Sequence, residues 1–438
     1  MKKYDVIINF LRIIDADRAS IRYMKLFRKG NPARFAVVKL GGAVVEHAKA
    51  MIAVDLAYLY NLDLFPIVIH GGGTQIDKAL TEAGMVYNKK DGLRITTAEQ
   101  LPVIKQVLDR VNNELIQQIH EYGGRAVGFT ENIFISRRHH DDSLGYVGEV
   151  AKVHAERIVN AIKNKTIPVV SCIGTGENGH YYNINADEAA RAMVLAIKPK
   201  KYIIITEEGG IKNIDGTIIS NICLNEEAAA LEKNGIVSGG MLLKVKEAHA
   251  LLGKIKYHLP VQITSSKFLL KELFSDKGKG TFIKLGAEIM ELSNWNKISR
   301  ERIKKLVVQS FGRNLKNDYF DKPVRCIFLD RHYHGMAVIR KIDDTYYLDK
   351  FCVSEEAQGQ GIAQDIWRRM IKKFPFLFWR STIENPINSW YFQKAQGALK
   401  LNKWILFWIN LTDKQIKTAH AYVDTLEETL EERQKVNP

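Results

Sequence analysis

The chain has 438 residues and a mass of 49.8 kDa, too long for one ordinary core, so two or three domains are expected. Its 46% hydrophobic and 26% charged composition is that of a globular protein, and no stretch approaches the ~18 apolar residues of a membrane span. Disordered, collagen-like and transmembrane classes are thereby excluded, while a net charge of +15 favours anionic partners: nucleic acid, an acidic membrane surface or small polyanions such as nucleotides.

In chain order, the first segment (MKKYDVIINFLRIIDADRAS) has an apolar stretch interrupted by Asp5 and Arg12, unlike a signal peptide. Ile7, Phe10, Leu11 and Ile14 fall at i, i+3, i+4 and i+7, which predicts an amphipathic helix within residues 1–30 that packs on something, such as another subunit. From about residue 35 to 285, β-branched runs (FAVVKL, FPIVIH, IPVVSCIG, KYIIITEE) alternate with helical patterns at Ala48 to Leu62, Leu101 to Tyr122, Ala186 to Ile197 and Glu226 to Asn234. This is the rhythm of a layered α/β domain with a mainly parallel sheet. The composition turns to Gly and Lys at Lys277 to Gly280, and a new pattern starts after Leu285, which places a boundary near residues 286–298. Beyond it come a helix (300–310), strands (324–330, 335–341, 345–353), a Gly-rich turn, a helix (361–373) and an aromatic-rich, strand-like end. The final TLEETLEERQKVNP reads as a solvated helical tail. Three segments are thus expected: 1–30, 31–288 and 299–438. Cys172, Cys223, Cys326 and Cys352 are scattered, with no CxxC and no metal-ligand spacing, so a reducing, cytoplasmic setting is expected and neither a metal nor a disulfide framework is indicated.

Two segments run strand, glycines, helix: VVKLGGAVVE (37–46) and IVIHGGGTQID (67–77). Glycines let backbone N–H groups approach a phosphate, and the following helix adds a favourable dipole. Either run alone could be a tight turn, and neither is a Walker A loop or GxGxxG. The tandem, with Lys39 ending the first strand, favours an anion site. Downstream lie Arg94 in GLRITT, the run YNINADEAA (182–190) and Lys244 in SGGMLLKV. Read blandly, these are a surface arginine, a helix start capped by Asn185 or Asp187, and a solvated lysine.

KLGGAVVE, IHGGGTQID, GLRITT, PVVSCIGTGENGHYYNINADEAA and SGGMLLKV, in this order over about 250 residues, closely resemble N-acetylglutamate kinases of the amino-acid kinase superfamily. The resemblance implies a three-layer α-β-α sandwich with a mainly parallel sheet that transfers the γ-phosphoryl of MgATP to the side-chain carboxylate of N-acetyl-L-glutamate. By the same resemblance Gly71, Gly72, Arg94 and Asn183 bind acetylglutamate, Gly41 and Gly42 face the nucleotide phosphates, and Lys39 and Lys244 act on the transferred phosphoryl, oriented by Asp187. One departure is ITEEGG (205–210), which places two glutamates near the nucleotide, unfavourable unless magnesium or lysine offsets them. A further stretch, SSKFLLKELFSDKGKGT (265–281), resembles the signature of arginine-inhibited members. It implies that Glu272 meets the guanidinium and that the Gly278/Gly280 loop meets the amino-acid end, although a charged helix ended by glycines is the bland reading.

In the last third, YYLDKFCVSEEAQGQGIAQDIW (346–367) sets a strand, Gln358-Gly359-Gln360-Gly361-Ile362-Ala363 and a helix in order, which suits a pyrophosphate but is equally a plain loop and helix start. The aromatic cluster in PFLFWRSTIENPINSWYF (375–392) and KWILFWINL (403–411) is most simply core. Taken together, LDKF, QGQG, LFWRS and NPINSWYF closely resemble the acetyltransferase domain of vertebrate-like N-acetylglutamate synthases, a mixed-sheet GCN5-related acetyltransferase fold. This implies attack of the L-glutamate amine on acetyl-CoA. Lys350, Arg380 and Asn385 would hold glutamate, residues 358–363 the CoA pyrophosphate, and Tyr391 would donate a proton to the leaving thiolate. Arg313 stands where relatives carry lysine.

The two resemblances imply one bifunctional enzyme of arginine biosynthesis, with ATP, Mg2+ and acetyl-CoA as co-substrates, no tightly bound cofactor, L-arginine as inhibitor and a homo-oligomer, a tetramer by analogy. The rivals are a synthase whose kinase fold only senses arginine, a kinase fused to a degenerate acetyltransferase, and a nucleic-acid-binding protein. The last lacks the basic run interleaved with aromatics that such binding uses.

Overall fold

The computed structural model describes residue 27 and residues 31–177, 179–225, 239–255, 259–275, 278–354 and 361–431. The expected helices within 1–30 and at Glu226 to Asn234 lie outside the described residues, apart from Phe27. The chain divides into two compact units that meet between Leu285 and Gly286.

The first unit is built on an eight-stranded sheet in the order Asn221–Cys223, Thr281–Lys284, Val261–Thr264, Lys201–Ile205, Ala36–Leu40, Ile67–His70, Ile167–Ser171, Ala126–Phe129. All neighbours are parallel except Val261–Thr264 with Thr281–Lys284. Every residue of Ala36–Leu40, Ile67–His70, Ile167–Ser171 and Lys201–Ile205 is buried, so helices cover both faces, as a parallel sheet requires. Each fully buried Val or Ile contributes about 1.5–3 kcal/mol. Helices Gly42–Asn61, Gly73–Glu82 and Gln100–Glu121 pack on one another, while Ala186–Ile197 packs on Ala36–Leu40 and Ile67–His70. A separate four-stranded sheet, Tyr181–Asn183, Ile173–Thr175, Phe134–Arg138 and Gly148–Val153, accompanies the main one.

Two sequence expectations change here. The helix expected from Ala48 begins at Gly42, and Ala48 is its kink, with φ −129°. The run IPVVSCIG splits at Cys172 into Ile167–Ser171 and Ile173–Thr175, which serve different sheets.

The second unit has a seven-stranded sheet: Ile289–Leu292, Cys326–Asp330, Gly335–Ile342, Thr345–Val353, Leu377–Thr382, Trp404–Ile409, Gly397–Lys400. Its neighbours are antiparallel except at the centre, where Thr345–Val353 and Leu377–Thr382 run parallel and share one ladder pair, Tyr347 with Phe378. Residues 289–292 therefore belong to this sheet rather than to a linker.

The aromatic end is not all strand, since Asn388–Lys394 is a helix. An Asx turn opens it, with Asn385 Oδ1 accepting from Ile387 N at 3.2 Å. The expected helical tail is also corrected: the helix Asp413–Thr425, begun by a Thr412/Gln415 capping box, stops before the acidic run, and Leu426 is extended. Leu430 instead pairs with Leu315 in an antiparallel bridge.

Candidate functional sites

Lys39 sits one residue from the end of a central strand, between Ile69 and Ile204, at the carboxyl edge where open α/β sheets bind ligands. The two glycine loops pack backbone against backbone beside it. A Cβ on Gly42 would lie 2.4 Å from Gly73 N and 3.1 Å from Gly72 C, and Gly71 N donates to Leu40 O at 3.0 Å. Only glycine permits this approach, which brings both loops to the mouth of one cleft.

Two cavities open there. One, of about 230 Å³, is lined by Gly71, Gly72, Arg94 and Asn183, with Ile76, Leu108 and Val147 as apolar wall. The other, of about 350 Å³, is lined by Ala43, Thr206, Glu207, Glu208 and Lys244. Lys39, Gly41 and Gly42 line both, so the lysine stands at their junction. Its ammonium lies 2.7 Å from Asp187 Oδ1. Asn185, not Asp187, caps the helix, accepting from Asp187 N at 2.8 Å, and this leaves the Asp187 carboxylate for the lysines. Burial opposes ionisation of Asp187, but the charges of Lys39 and Lys244 outweigh it and hold its pKa below the usual carboxylate value.

Arg94 is buried, paired with Asp77, and donates to Gly73 O at 3.2 Å. Asn183 donates to Thr96 Oγ1 at 3.1 Å, and Thr96 Oγ1 donates to Arg94 O at 3.0 Å, so the two acetylglutamate candidates are tied through one hydroxyl. Behind the loop, burial lowers the His70 pKa to about 4, so its ring is neutral at physiological pH. Nδ1 donates to Gly71 O at 3.1 Å, and Nε2 accepts from Asn112 Nδ2 at 3.0 Å.

Glu207 and Glu208 do face the second cavity, as the sequence warned; the Glu207 carboxylate is held 2.6 Å from His47 Nδ1, while Lys39 and Lys244 supply the positive charge. On the helix carrying Lys244, burial and the nearby Asp187 raise the Glu247 carboxyl to about 7.

Glu272, Gly278 and Gly280 also come together. The Glu272 carboxylate is 1% exposed and accepts from Gln262 Nε2 at 2.7 Å, Lys279 N at 2.6 Å and Gly280 N at 2.9 Å. A Cβ on Gly278 would fall 1.6 Å from Glu272 Oε2, so that loop closes directly on the carboxylate.

In the second unit, Lys350 and Arg380 sit on the two strands of the central parallel pair, and Arg313 follows the helix Arg300–Phe311. Lys350 Nζ lies 3.2 Å from Asp349 Oδ1 and also donates to Thr429 Oγ1. Burial pulls Lys350 below the usual lysine pKa against the attraction of Asp349. Asp349 Oδ2 also takes Arg340 Nε at 3.0 Å and Tyr319 OH at 2.9 Å. Arg380 stacks 4.2 Å from the Trp404 ring centroid and donates to Val423 O, to Leu426 O at 2.6 Å and to Glu427 O at 3.2 Å. Arg313 donates to Glu431 O at 2.5 Å, Leu430 O at 3.3 Å and Glu428 Oε2 at 3.3 Å. Three expected glutamate cations thus converge on residues 426–431. Asn385, the fourth residue expected to hold glutamate, uses its side-chain oxygen in the Asx turn.

Tyr391 is buried among Trp379, Trp390 and Phe407, with centroids 5.5, 5.7 and 5.6 Å away, and burial pushes its phenol well above the usual value, keeping it protonated. Gly361, with φ +77°, caps the helix Ile362–Lys373, in which Ile362 is buried and Ala363 half-buried; Gln358, Gly359 and Gln360 lie outside the described residues.

The sequence did not reveal Asp77, Thr96 or Asp349: Asp77 meets Arg94, Thr96 meets Asn183, and Asp349, next to Lys350 in the chain, meets Arg340 and Tyr319, only through folding. Nor did it reveal a cluster of His139, His140 and Glu149, whose nitrogen and oxygen atoms lie within 4.8 Å of one another. There, Asp141 N donates to His139 Nδ1 at 3.0 Å and His140 Nδ1 lies 2.5 Å from Glu149 Oε1, while His139 Nε2 is 3.8 Å from that oxygen, beyond hydrogen-bond reach.

A lysine-carboxylate pair thus stands between two cavities at the edge of a parallel sheet in the first unit, and the second unit is an aromatic-packed mixed sheet. The amino acid kinase family pattern matches residues 34–265, more than half of the chain, and the chain belongs to that family. The pattern of NAT, the N-acetyltransferase of N-acetylglutamate synthase, matches residues 290–429. The acetylglutamate kinase of Xylella fastidiosa (strain 9a5c) is 34% identical over 391 residues, 89% of this chain and 93% of that protein. The mitochondrial N-acetylglutamate synthase of Mus musculus is 28% identical over 393 residues, 86% of this chain and 70% of that protein. Among solved structures, N-acetylglutamate synthase from Neisseria gonorrhoeae, complexed with coenzyme A and N-acetyl-glutamate, has a TM-score of 0.65 at 19% identity, covering 93% of this chain and 96% of that one, a likeness of fold. Among the described residues no helix is long and apolar enough to cross a membrane.

Proposed function

We propose that this chain acetylates L-glutamate and phosphorylates the product, two successive reactions of arginine biosynthesis. The observation that carries the kinase half is Lys39, paired with Asp187 at the junction of the two cavities. The side-chain carboxylate of N-acetyl-L-glutamate is already an anion, so no base has to remove a proton. One of its oxygens attacks the γ-phosphorus of MgATP as the bond to the β-phosphate oxygen breaks, and ADP leaves. What the site must supply is alignment and positive charge. Arg94 and Asn183 hold the acetylglutamate carboxylate end, the N–H groups of the glycine loops face the phosphoryl oxygens, and Lys39 and Lys244 neutralise the charge that builds on them, with Asp187 fixing the lysines.

In the second unit the glutamate amine attacks the thioester carbon of acetyl-CoA. The C–N bond forms as the C–S bond breaks, the thiolate takes the proton that Tyr391 holds, and the proton shed by the new amide nitrogen passes through solvent to restore the phenol. Lys350, Arg380 and Arg313 suit the two carboxylates of glutamate, and residues 358–363 are assigned to the CoA pyrophosphate. L-arginine is assigned to the Glu272 loop, where a guanidinium would take over from Lys279 N and Gly280 N the contacts that they make with the buried carboxylate.

Two assays test the reading: ATP-dependent hydroxamate formation from N-acetyl-L-glutamate, and glutamate-dependent thiol release from acetyl-CoA, each with and without L-arginine. Hydroxamate without thiol release would leave a kinase with an idle second unit, and the reverse would leave a synthase whose kinase fold is silent. Indifference of both rates to millimolar arginine would remove the inhibitor assignment.

A further inference from the structure

The acidic segment 426–431 follows the helix Asp413–Thr425. It meets Arg313, Lys350 and Arg380, three cations carried by three different elements. An ammonium has three N–H donors, and those of Lys350 face Asp349 O at 3.3 Å, Asp349 Oδ1 at 3.2 Å and Thr429 Oγ1. A substrate carboxylate at Lys350 therefore has to take the place of the Thr429 hydroxyl. The segment also presents the chemistry of the expected substrate. Glu428 offers its side-chain carboxylate to Arg313 at 3.3 Å and to Lys403, and Glu427 offers its own to Lys316 at 3.3 Å and Lys322 at 2.5 Å.

We propose that residues 426–431 form a pseudosubstrate strap, an internal glutamate-bearing segment that occupies the L-glutamate cations and that the amino acid must displace. The inference rests on the assignment of glutamate to Arg313, Lys350 and Arg380. The strap is clipped at both ends. Leu426 packs against the Tyr347, Phe378 and Leu406 cluster, and Leu430 packs against the cluster of Trp295 and Leu315. Lys316 N donates to Thr429 O at 3.0 Å, and Glu431 N donates to Asn314 O at 2.9 Å. Between the clips, Glu427 is held by solvent-exposed ion pairs, which contribute little each and are screened by salt. Such a segment holds its place without substrate and yields to a free dicarboxylate.

The test uses the full chain carrying Glu428→Gln with Thr429→Val. With acetyl-CoA saturating, the KM for L-glutamate should fall at least threefold, while kcat and the KM for acetyl-CoA stay within twofold. An unchanged or raised glutamate KM would overturn the strap, because a segment that builds the site rather than blocking it would leave or worsen affinity when altered. Hydrogen exchange on the unaltered protein gives an answer that does not depend on the variant folding. L-glutamate with coenzyme A should speed exchange of the Glu431 and Lys316 amides at least fivefold, and unchanged protection would refute displacement. Lys350→Ala separates the strap from its premise. A tenfold rise in glutamate KM upholds the cation assignment even where the strap variant does nothing; an unchanged KM sinks the assignment and the strap together.

Discussion

Replacing Lys39 with methionine keeps most of the side chain's volume and removes its charge. The side chain is 7% exposed and its ammonium lies 2.7 Å from the Asp187 carboxylate, so its field acts through protein rather than bulk water. A cation at about 4 Å from the transferring phosphoryl group, at an effective dielectric near 20, stabilises the developing charge by about 4 kcal/mol. That corresponds to about a thousandfold in rate. A second loss adds to it: Asp187 is kept ionised against burial first by Lys39 and then by Lys244, so the variant removes the larger of the two opposing charges. Hydroxamate formation from N-acetyl-L-glutamate should therefore fall about a thousandfold in kcat, with a much smaller change in KM. Glutamate-dependent thiol release on the same chain is the control, because the residues assigned to it belong to the second unit. Kinase turnover within tenfold of the unaltered protein would refute the role of Lys39, and equal loss of both activities would point to misfolding.

Gly42→Ala should cost about 1–3 kcal/mol of stability and most kinase activity, since the new methyl group meets the Gly72–Gly73 backbone; thermal unfolding with hydroxamate assay reads both. Tyr391→Phe should lower the synthase kcat by about 10²–10⁴-fold across pH with little change in thermal stability. Glu247 bears a carboxyl raised from 4.5 to about 7, so the folded state binds its proton more tightly than the unfolded state. Its contribution is fully present below pH 4.5 and is lost as pH rises through 7. Glu247→Gln should therefore lose less Tm than the unaltered protein between pH 5 and pH 8. Asp349→Asn leaves Lys350 and Arg340 without their shared carboxylate, and a loss of about 3–5 kcal/mol is expected by denaturant titration.

The kinase-like site was legible because its parts lie at strand ends, where β-branched runs give way to glycine. VVKLGG and IVIHGG mark both the element and the edge at which ligands bind. Asp77 was not legible: it lies in the helix Gly73–Glu82 and Arg94 ends the hairpin that follows, and only the fold joins them. The small sheet escaped because its strands are three to six residues long and carry polar residues such as Arg137 and Arg138. The helix Asn388–Lys394 was hidden by Trp390, Tyr391 and Phe392, which favour strands, until the Asx turn at Asn385 overrode that preference. The acidic tail misled most. A run of glutamates normally faces water, but these meet cations contributed from Arg313 to Lys403, which no local pattern reveals.

A chain that makes acetylglutamate and then phosphorylates it passes one acetyl group through both reactions. The direct measurement supplies acetyl-CoA labelled in its acetyl group, L-glutamate, MgATP and hydroxylamine to the purified protein, and follows the label. Labelled acetylglutamyl hydroxamate should form and should require both ATP and L-glutamate. Label that stops in acetylglutamate, with ATP saturating, would contradict this.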